Sequence, residues 1–303
     1  MDKSIKVAVN IVIFLIVIGF IIYVLRPDGD EKQVLIQNPA AQTFDSDYQL
    51  RASFDVKDSV VAFELHGTRL YVAGKESISI YNFRGKQLSS FKIKANVRDI
   101  AISHKRLFVL YPAFIENYSL NGDSLNAWDA CSELSDYSSF TITDDFVFVS
   151  DVGHKNICKY TREGHFVQFI ESPDKFITPS HFFDITHKND TIYCANPGRH
   201  RVESYTLNGE FIAAFGRTGS DAGAFAGCCN PSYIHFDKQG RLLTSEKGNP
   251  RISHYDQSGT FNQILLDQSM LGGGHLPYQI KTLGNKLVTA ANRQIKVFEL
   301  KNK

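Results

Sequence analysis

Apolar and polar residues alternate along most of the chain after residue 48, in short segments such as DIAIS, FTIT and YIHFD. This period of two is typical of β-strands, in which successive side chains point to opposite faces. Asn-Gly, Glu-Gly and Ser-Gly pairs separate many of the segments, and glycine supplies the positive φ that tight hairpins need. No segment in this region has the 3.6-residue stripe of a capped helix, so the pattern predicts an all-β domain.

One short motif recurs six times and sets the expected architecture. A strand ends on an aromatic residue and, in the first five copies, glycine follows four positions later; the aromatic residues are Tyr81, Tyr118, Tyr160, Tyr205, Tyr255 and Phe298. Their spacings of 37, 42, 45, 50 and 43 residues match one four-stranded propeller blade of roughly 40–50 residues. In each unit the aromatic strand is the third of four. The sequence therefore predicts a six-bladed β-propeller.

The sixth unit lacks a fourth strand after Phe298, and the front of the domain offers one. The segment YQLRASFDV, Tyr48–Val56, has the alternation of a strand. Such a strand would complete the last blade and leave no free sheet edge. We therefore expect residues 48–303 to form the propeller, closed by an N-terminal strand.

The first 25 residues predict a membrane anchor. Val7–Leu25 carries no charged residue, and nineteen helical residues rise roughly 28 Å, about the thickness of a bilayer hydrocarbon core. A cleaved signal peptide is the alternative, but no small-x-small cleavage site follows, and the first cysteine is Cys131. We therefore expect a retained transmembrane helix over residues 7–25.

Charge next to this helix predicts its orientation. Lys3 and Lys6 precede the helix, whereas both signs of charge follow it, so the positive-inside rule places the N-terminus in the cytoplasm. The expected organisation is a cytoplasmic N-terminus (1–6), a transmembrane helix (7–25), a linker (26–47) and the propeller (48–303). The protein would be single-pass in the plasma or inner membrane, with an extracytoplasmic propeller that is periplasmic in a Gram-negative cell.

The charge balance excludes one class of partner. Lysine and arginine number 33 against 32 aspartates and glutamates, and no basic run with interleaved aromatics is present. Neutralising nucleic-acid phosphates needs a concentrated positive surface. Nucleic-acid binding is therefore not expected.

Units four and five carry a family resemblance. The stretch GRHRVESYTLNGEF and the later segment CCNPSYIHFDKQGRLLTSEKGNPRISHYDQSG resemble the NHL repeat, which also runs from a strand through a His-Arg-Val-aromatic segment to a glycine turn, a Gly-rich loop and a proline. Unit three (SDVGHKNICKY) shares part of the pattern, and units one, two and six resemble it weakly. Units one and two lack the aspartate and the His-Arg pair of the NHL repeat. The resemblance implies a propeller. It is compatible with protein- or RNA-binding platforms, with signalling or glycan-associated ectodomains, and with lyases and lactonase-like hydrolases that hold a metal near the central channel.

Blade geometry predicts one functional face. The loops between second and third strands and the loops that lead into each blade emerge on the same side of a propeller. In units three to six these loops carry polar and aromatic candidates for ligand binding, namely Asp151, His154, Arg199, His200, Tyr233, Glu246 and Lys247. Arg201 and Arg251 instead recur four residues before the blade aromatic. The resemblance implies a structural role for these two arginines, bridging blades through loop carboxylates such as Asp151 and Glu246.

The five cysteines show no disulfide framework by spacing. Cys158 and Cys194 fall in strands and are expected to be buried as small hydrophobes. Cys228 and Cys229 lie in a loop on the proposed face, and three interpretations remain open. They pack against the protein, they bind zinc or copper together with His181 and His275, or they take part in redox chemistry, including a vicinal disulfide.

No standard catalytic signature is present, since the chain has no GxSxG elbow, no Walker loop and no EF-hand spacing. The sequence therefore favours non-catalytic binding of a protein or small-molecule partner on the loop face. One alternative is a metal-dependent lyase or hydrolase that uses His181, His275, a loop cysteine and Arg199 or Tyr233. Another is an accessory subunit of a membrane redox or metal-handling complex, with Cys228 and Cys229 as the working pair.

Overall fold

The computed structural model describes residues 45–301, which form six four-stranded antiparallel sheets. The predicted anchor (7–25) and most of the predicted linker lie outside the described residues. Within residues 45–301, no helix has the length and apolar character needed to cross a membrane.

Each sheet is one blade, and its strands follow one another from the centre of the ring outwards. Blade 1 consists of β2 (Ala62–His66), β3 (Arg69–Ala73), β4 (Ser77–Asn82) and β5 (Gln87–Lys92). Blade 2 consists of β6 (Asp99–Ser103), β7 (Arg106–Tyr111), β8 (Phe114–Ser119) and β9 (Ser124–Asp129). Blade 3 consists of β10 (Tyr137–Ile142), β11 (Phe146–Asp151), β12 (Asn156–Thr161) and β13 (Phe166–Ile170).

The remaining blades repeat this arrangement. Blade 4 consists of β14 (Ile185–Lys188), β15 (Thr191–Asn196), β16 (Arg201–Thr206) and β17 (Phe211–Phe215). Blade 5 consists of β18 (Tyr233–Phe236), β19 (Leu242–Glu246), β20 (Arg251–Tyr255) and β21 (Phe261–Leu266). Blade 6 consists of β22 (Gln279–Leu283), β23 (Lys286–Ala291), β24 (Gln294–Leu300) and β1 (Tyr48–Asp55). A 3₁₀ turn (Pro197–Arg199) and a short helix (Gln268–Leu271) lie in the connections.

The pairing of β1 with β24 confirms the predicted closure of the ring. The register runs antiparallel from Tyr48 opposite Leu300 to Asp55 opposite Gln294. The Val56 amide continues it by donating to the Arg293 carbonyl at 2.8 Å. The last blade thus takes its outermost strand from the start of the domain, which ties the two ends of the propeller together.

The hydrophobic core is a belt of six clusters, each of which joins two neighbouring blades. Between blades 1 and 2, for example, Tyr71 and Ile78 pack with Ile100, Leu107 and Tyr118. Equivalent clusters follow around the ring, including one between blades 6 and 1. Because both faces of each sheet are covered by a neighbour, the middle strands are apolar on both faces rather than strictly alternating.

A recurrent contact explains the glycine of the repeat. A large side chain from the outermost strand of one blade lies against the glycine turn of the next; the pairs are Phe54 with Gly85, Phe91 with Gly122, Trp128 with Gly164, Ile170 with Gly209 and Phe215 with Gly259. These glycines have φ between +82° and +100°, and a Cβ at any of them would come within 3.0 Å of the opposing side chain. The motif therefore encodes the packing between blades as well as the hairpin.

Candidate functional site

The innermost strands β2, β6, β10, β14, β18 and β22 surround a central cavity of about 390 Å³. Alternate side chains of these strands point into the inter-blade core or into the cavity. Ile100 of β6, for instance, belongs to a core cluster, whereas Asp99 beside it lines the cavity. Polar positions of the innermost strands therefore meet at the axis of the ring.

Two carboxyl groups from different blades share one serine in this cavity. Ser139 Oγ lies 2.9 Å from Asp99 Oδ2 and 2.7 Å from Asp184 Oδ1. The Ile100 amide donates to Asp99 Oδ1 at 2.8 Å, and the Ile234 amide donates to Asp184 Oδ2 at 2.7 Å. Backbone amides at the start of β6 and β18 thus fix both carboxyls, and Ser139 links them.

Asp99 Oδ2 also accepts a hydrogen bond from the Phe140 amide at 3.3 Å, but the Ser139 hydroxyl has only one proton for the two carboxyl groups. A serine hydroxyl donates a single hydrogen bond, so Ser139 can donate to Asp99 or to Asp184 but not to both. Burial and the charge of Asp99 raise the pKa of Asp184 to about 6, and burial also raises the pKa of Asp99. The pair is therefore disposed to hold an additional positive charge, either a proton or a cationic group.

A lysine–glutamate pair lies on the other side of the cavity. Lys281 Nζ is 3.1 Å from Glu64 Oε2. Burial alone would lower the pKa of Lys281, but the charges of Glu64, Asp99 and Asp184 outweigh it and raise the pKa. The cavity lining therefore carries three carboxyl groups against Lys281 and Arg98, and Arg98 is paired with Asp136 outside the lining, which leaves the cavity with an excess of negative charge.

Aromatic residues form the wall of the cavity beside the carboxyl pair. Tyr233 and Phe182 both line it, with ring centroids 5.8 Å apart in an edge-to-face arrangement. Lys247 Nζ lies 5.0 Å from the centre of the Phe182 ring. Burial, together with the charge of Asp184, raises the pKa of Tyr233, so this phenol stays protonated. Aromatic faces next to carboxylates are suited to cationic groups.

A partly buried histidine lies in the innermost strand of blade 5. His235 Nε2 accepts a hydrogen bond from the Thr282 amide at 3.1 Å. Burial, with the charges of Lys281 and His187, lowers the pKa of His235 to about 3. The imidazole is therefore neutral at physiological pH, with its proton on Nδ1.

The His235 environment predicts an acid-dependent loss of stability. Because the folded-state pKa lies below the ordinary value of 6.5, the stabilising contribution is present above pH 6.5 and is lost as pH falls towards 3. His235→Gln keeps an acceptor for the Thr282 amide, so we expect its free energy of unfolding to fall less than that of the wild type between pH 6.5 and 4.5. Urea denaturation across this range measures the difference. His66→Gln, at an exposed position in β2, should follow the wild type, and identical wild-type and His235→Gln profiles would contradict the assignment.

Asp151 and His154 contact each other, and both stabilise the surrounding loops through hydrogen bonds. Asp151 is fully buried, and its Oδ1 accepts hydrogen bonds from the amides of Asp136 and Gly153, both at 2.9 Å. His154 Nδ1 lies 3.1 Å from Asp151 Oδ2, and His154 Nε2 lies 3.3 Å from Ser132 Oγ. Both residues therefore connect the β11–β12 turn to the loop that leads into blade 3.

Arg199 and His200 contact neighbouring loop carbonyls. Arg199 Nε donates to the Lys175 carbonyl at 3.1 Å, and its Nη2 donates to the Asp174 carbonyl. His200 adopts a left-handed conformation with φ of 55°, and its ring bonds to the Gly227 carbonyl. Neither residue lines the central cavity.

Glu246, Arg251 and Arg201 form bridges between loops and strands. Arg251 pairs with buried Glu246 at 2.6 Å and donates to the Ala224 carbonyl at 2.5 Å, which attaches the Gly-rich loop before blade 5 to the β19–β20 hairpin. Arg201 lies 2.7 Å from Glu203 and 2.9 Å from Asp174. These contacts connect the loops that lead into blades 4 and 5 to strands of the same blades, whereas Asp151 accepts from the loop that leads into blade 3.

The four metal candidates are not brought together. His181 lines the central cavity and bonds to Asp136 at 2.7 Å, whereas His275 lies at a separate pocket with Asp55 and Arg293. Among residues 45–301, the one group of three or more histidine, cysteine or acidic ligand atoms within 4.8 Å of one another is Cys131, Asp151 and Cys158. A shared site of His181 and His275 with the loop cysteines therefore has no geometric basis in this structure.

The two loop cysteines, Cys228 and Cys229, are in contact but differ in exposure to solvent. Cys228 is exposed, Cys229 is buried, and their Sγ atoms are 3.1 Å apart. Burial alone would raise the pKa of Cys229, but hydrogen bonds from Ser180 and Cys228 and the proximity of Lys247 lower it. Both strand cysteines, Cys158 and Cys194, are fully buried, as expected. Cys158 also contacts Cys131.

Sequence reasoning identified Tyr233 and His181 among the residues at the cavity but missed Glu64, Asp99, Ser139, Asp184 and Lys281. A signal for them was present. Acidic residues open or interrupt the otherwise apolar innermost strands, as in DIAIS and FFDIT. An inward-facing charge at the start of such a strand is costly unless it is paired or functional.

Comparison with known proteins identifies the fold and no family. No protein-family model matches the chain. Among solved structures, the chain is similar to a virginiamycin B lyase from Staphylococcus aureus, with 14% identity and a TM-score of 0.58 over 84% of this chain and 100% of that chain. It is also similar to a structural genomics protein of unknown function from Bacteroides thetaiotaomicron, with 10% identity and a TM-score of 0.64 over 83% of this chain and 75% of that chain.

A third neighbour belongs to another class of propeller. The WD40 domain of Pan2 from Neurospora crassa has 10% identity and a TM-score of 0.53 over 86% of this chain and 97% of that chain. The similar structures thus include a lyase, a WD40 domain and a protein of unknown function. At such identities the likeness establishes the fold alone.

Proposed function

We propose that this propeller is a binding module whose central cavity takes a small ligand with a positively charged nitrogen group. The observation that carries the proposal is the shared hydrogen bonding of Asp99 and Asp184 through Ser139, which lacks one proton. An ammonium or guanidinium group donates several hydrogen bonds and would supply both the missing donor and the missing charge.

The charge balance and the walls of the cavity support this ligand class over an anionic one. Lys281 forms its ion pair with Glu64, and although its charge also acts on Asp99 and Asp184, the pKa of both carboxyls stays raised. Tyr233 and Phe182 line the cavity together with Asp184, and aromatic rings contribute attraction to cations. An anion would instead meet the two carboxyls at close range.

We also propose that the module is NHL-like and is held outside the plasma or inner membrane by residues 7–25. Support for the family comes from the repeat in blades 4 and 5 and from the bridges made by Arg201 and Arg251. Support for the anchor comes from the uncharged run Val7–Leu25. Expression of the full chain and carbonate extraction of membranes tests the anchor, which is contradicted if the chain is released.

A lyase or hydrolase is a second candidate function. The observation that favours it is the raised pKa of Asp184, about 6, because a carboxyl that titrates near neutral pH can act as a general acid or base. The similarity to a virginiamycin B lyase is compatible with this function. In that case the reacting groups would be Asp184 and Asp99 rather than the loop histidines and cysteines.

Isothermal titration calorimetry with small amines tests the binding proposal. Suitable probes are cadaverine and agmatine, with pentanediol and glutarate as neutral and anionic counterparts. We expect binding of at least one cation, weakened about 10- to 100-fold by Asp99→Asn, because a hydrogen bond between charged groups contributes about 1.5–3 kcal/mol. Asp129→Asn removes the same charge from an exposed position on β9 and should bind like the wild type.

The pH dependence of binding has a defined sign. Protonation of Asp184 competes with the cation, so affinity should fall about tenfold between pH 7.5 and pH 5 if its pKa is near 6. Preference for glutarate, or cation binding unaffected by Asp99→Asn, would contradict the proposed site. Consumption of a bound amine, with loss of turnover in Asp184→Asn, would favour the enzymatic alternative.

A further inference from the structure

Two cysteines that are 27 positions apart in sequence meet in blade 3. Cys131 lies in the loop between β9 and β10, and Cys158 lies in β12. Their Sγ atoms are 2.8 Å apart. The position of the loop is fixed by the Cys131 amide, which donates to the Tyr137 hydroxyl at 2.9 Å, and by Ser135 Oγ at 3.5 Å from Cys131 Sγ.

We propose that Cys131 and Cys158 form a disulfide bond that fastens the loop leading into blade 3 to the third strand of that blade. The pairing accounts for the odd number of cysteines, because Cys228 and Cys229 adjoin each other and Cys194 is buried alone. It is independent of the proposed ligand site.

The separation of the two sulfurs favours a disulfide over a metal site. Two thiolates bound to one zinc ion at about 2.3 Å each lie roughly 3.8 Å apart in tetrahedral geometry. The observed 2.8 Å is well below that separation. The third potential ligand, Asp151, already accepts backbone amides from Asp136 and Gly153 through Oδ1, and His154 through Oδ2.

The two thiols are suited to stepwise oxidation by a low-molecular-weight disulfide such as oxidised glutathione. Cys131 is partly exposed, and a hydrogen bond from Cys158 lowers its pKa to about 5. The Cys131 thiolate attacks the glutathione disulfide, which forms a mixed disulfide and releases one glutathione thiolate. Cys158 then attacks Cys131 Sγ, and the second glutathione leaves and takes up the Cys158 proton. The balance is two protein thiols and one glutathione disulfide giving one protein disulfide and two glutathione molecules.

Thiol counting on the purified full chain tests the proposal. In a Cys228→Ser, Cys229→Ser background, the three remaining thiols should fall to one after treatment with oxidised glutathione under native conditions. Peptide mapping without reduction should then find Cys131 joined to Cys158, with the loss of two hydrogens. The oxidised protein should unfold at a higher temperature than the reduced protein, because the bond closes a long loop.

Single variants distinguish this bond from other outcomes. Cys194→Ala should retain the cross-link, whereas Cys131→Ala, at a partly exposed loop position, should leave Cys158 as a free thiol. Three free thiols counted in denaturant after oxidation, a stable glutathione adduct on Cys131, or a cross-link to Cys194 would overturn the proposal. Stoichiometric zinc that Cys131→Ala releases would overturn it as well.

Discussion

Asp184→Asn is expected to raise the free energy of unfolding of the ligand-free protein at pH 7.5 by about 2 kcal/mol while it abolishes cation binding. The shift of the Asp184 pKa from 3.8 to about 6 corresponds to about 3 kcal/mol. We expect a smaller gain in the free energy of unfolding because the carboxyl borders the open cavity. Asparagine imitates the protonated acid, since its amide nitrogen can donate to Ser139 and its oxygen can accept from the Ile234 amide. Ionised Asp184 would thus destabilise the ligand-free protein while enabling it to bind a cation.

The pH dependence of the free energy of unfolding identifies the cause of the stabilisation by Asp184→Asn. A folded-state pKa above the unfolded value means that the wild type loses stability as pH rises from 3.8 to about 6. The difference between Asp184→Asn and wild type should therefore be complete above pH 6 and absent below pH 4. Guanidinium denaturation at pH 4 and pH 7.5 measures it, with Asp129→Asn expected to stay within about 0.5 kcal/mol of wild type. A destabilised Asp184→Asn at pH 7.5 would refute the electrostatic account.

Gly164→Ala is expected to lower the free energy of unfolding by about 4 kcal/mol. The glycine has φ of +94°, and a Cβ there would overlap the Trp128 ring of the preceding blade. Backbone strain and forced overpacking each contribute about 1–3 kcal/mol. Equilibrium denaturation of the variant measures the loss, which would show that the repeat glycine holds neighbouring blades together.

A second glycine with positive φ, Gly284, distinguishes backbone strain from steric overlap of the added Cβ. Gly284 has φ of +62°, and nothing lies within 4 Å of the position of its Cβ. Gly284→Ala should therefore cost about 1–2 kcal/mol, the strain alone. In a Trp128→Leu background the additional cost of Gly164→Ala should shrink by about 2 kcal/mol, a coupling that a double-mutant cycle reports. Equal losses at Gly164 and Gly284 would exclude the proposed inter-blade contact.

The fold was predictable because each of its determinants is local and repeated. The blade aromatic occurs once per blade and is followed by a glycine turn in the first five, so the number of copies gives the number of blades and their spacing gives the size of one blade. The closing strand was predictable because the sixth unit lacks a fourth strand, and Tyr48–Val56 has the pattern to supply it. The contact between Trp128 and Gly164 was not predictable, because the sequence gives the turn but not which blade lies against it.

The candidate site was only partly predictable, for a physical reason. Asp99, Ser139 and Asp184 come from three blades, and their proximity depends on the radius of the ring and on which face of each innermost strand turns inwards. Loop residues such as Arg199 and His200 look chemically more active in sequence, yet in the structure they satisfy neighbouring carbonyls. The meeting of Cys131 and Cys158 was hidden for the same reason, because a loop crosses the third strand of its own blade.

The titration of Asp184, followed by carboxyl ¹³C NMR with and without a bound amine, tests the central claim most directly. We expect this carboxyl to titrate near pH 6 in the free protein, and its pKa to fall when the cation is bound, because the cation stabilises the ionised form. An Asp184 that titrates near pH 4 in both states would contradict the account of a cation site at the centre of the propeller.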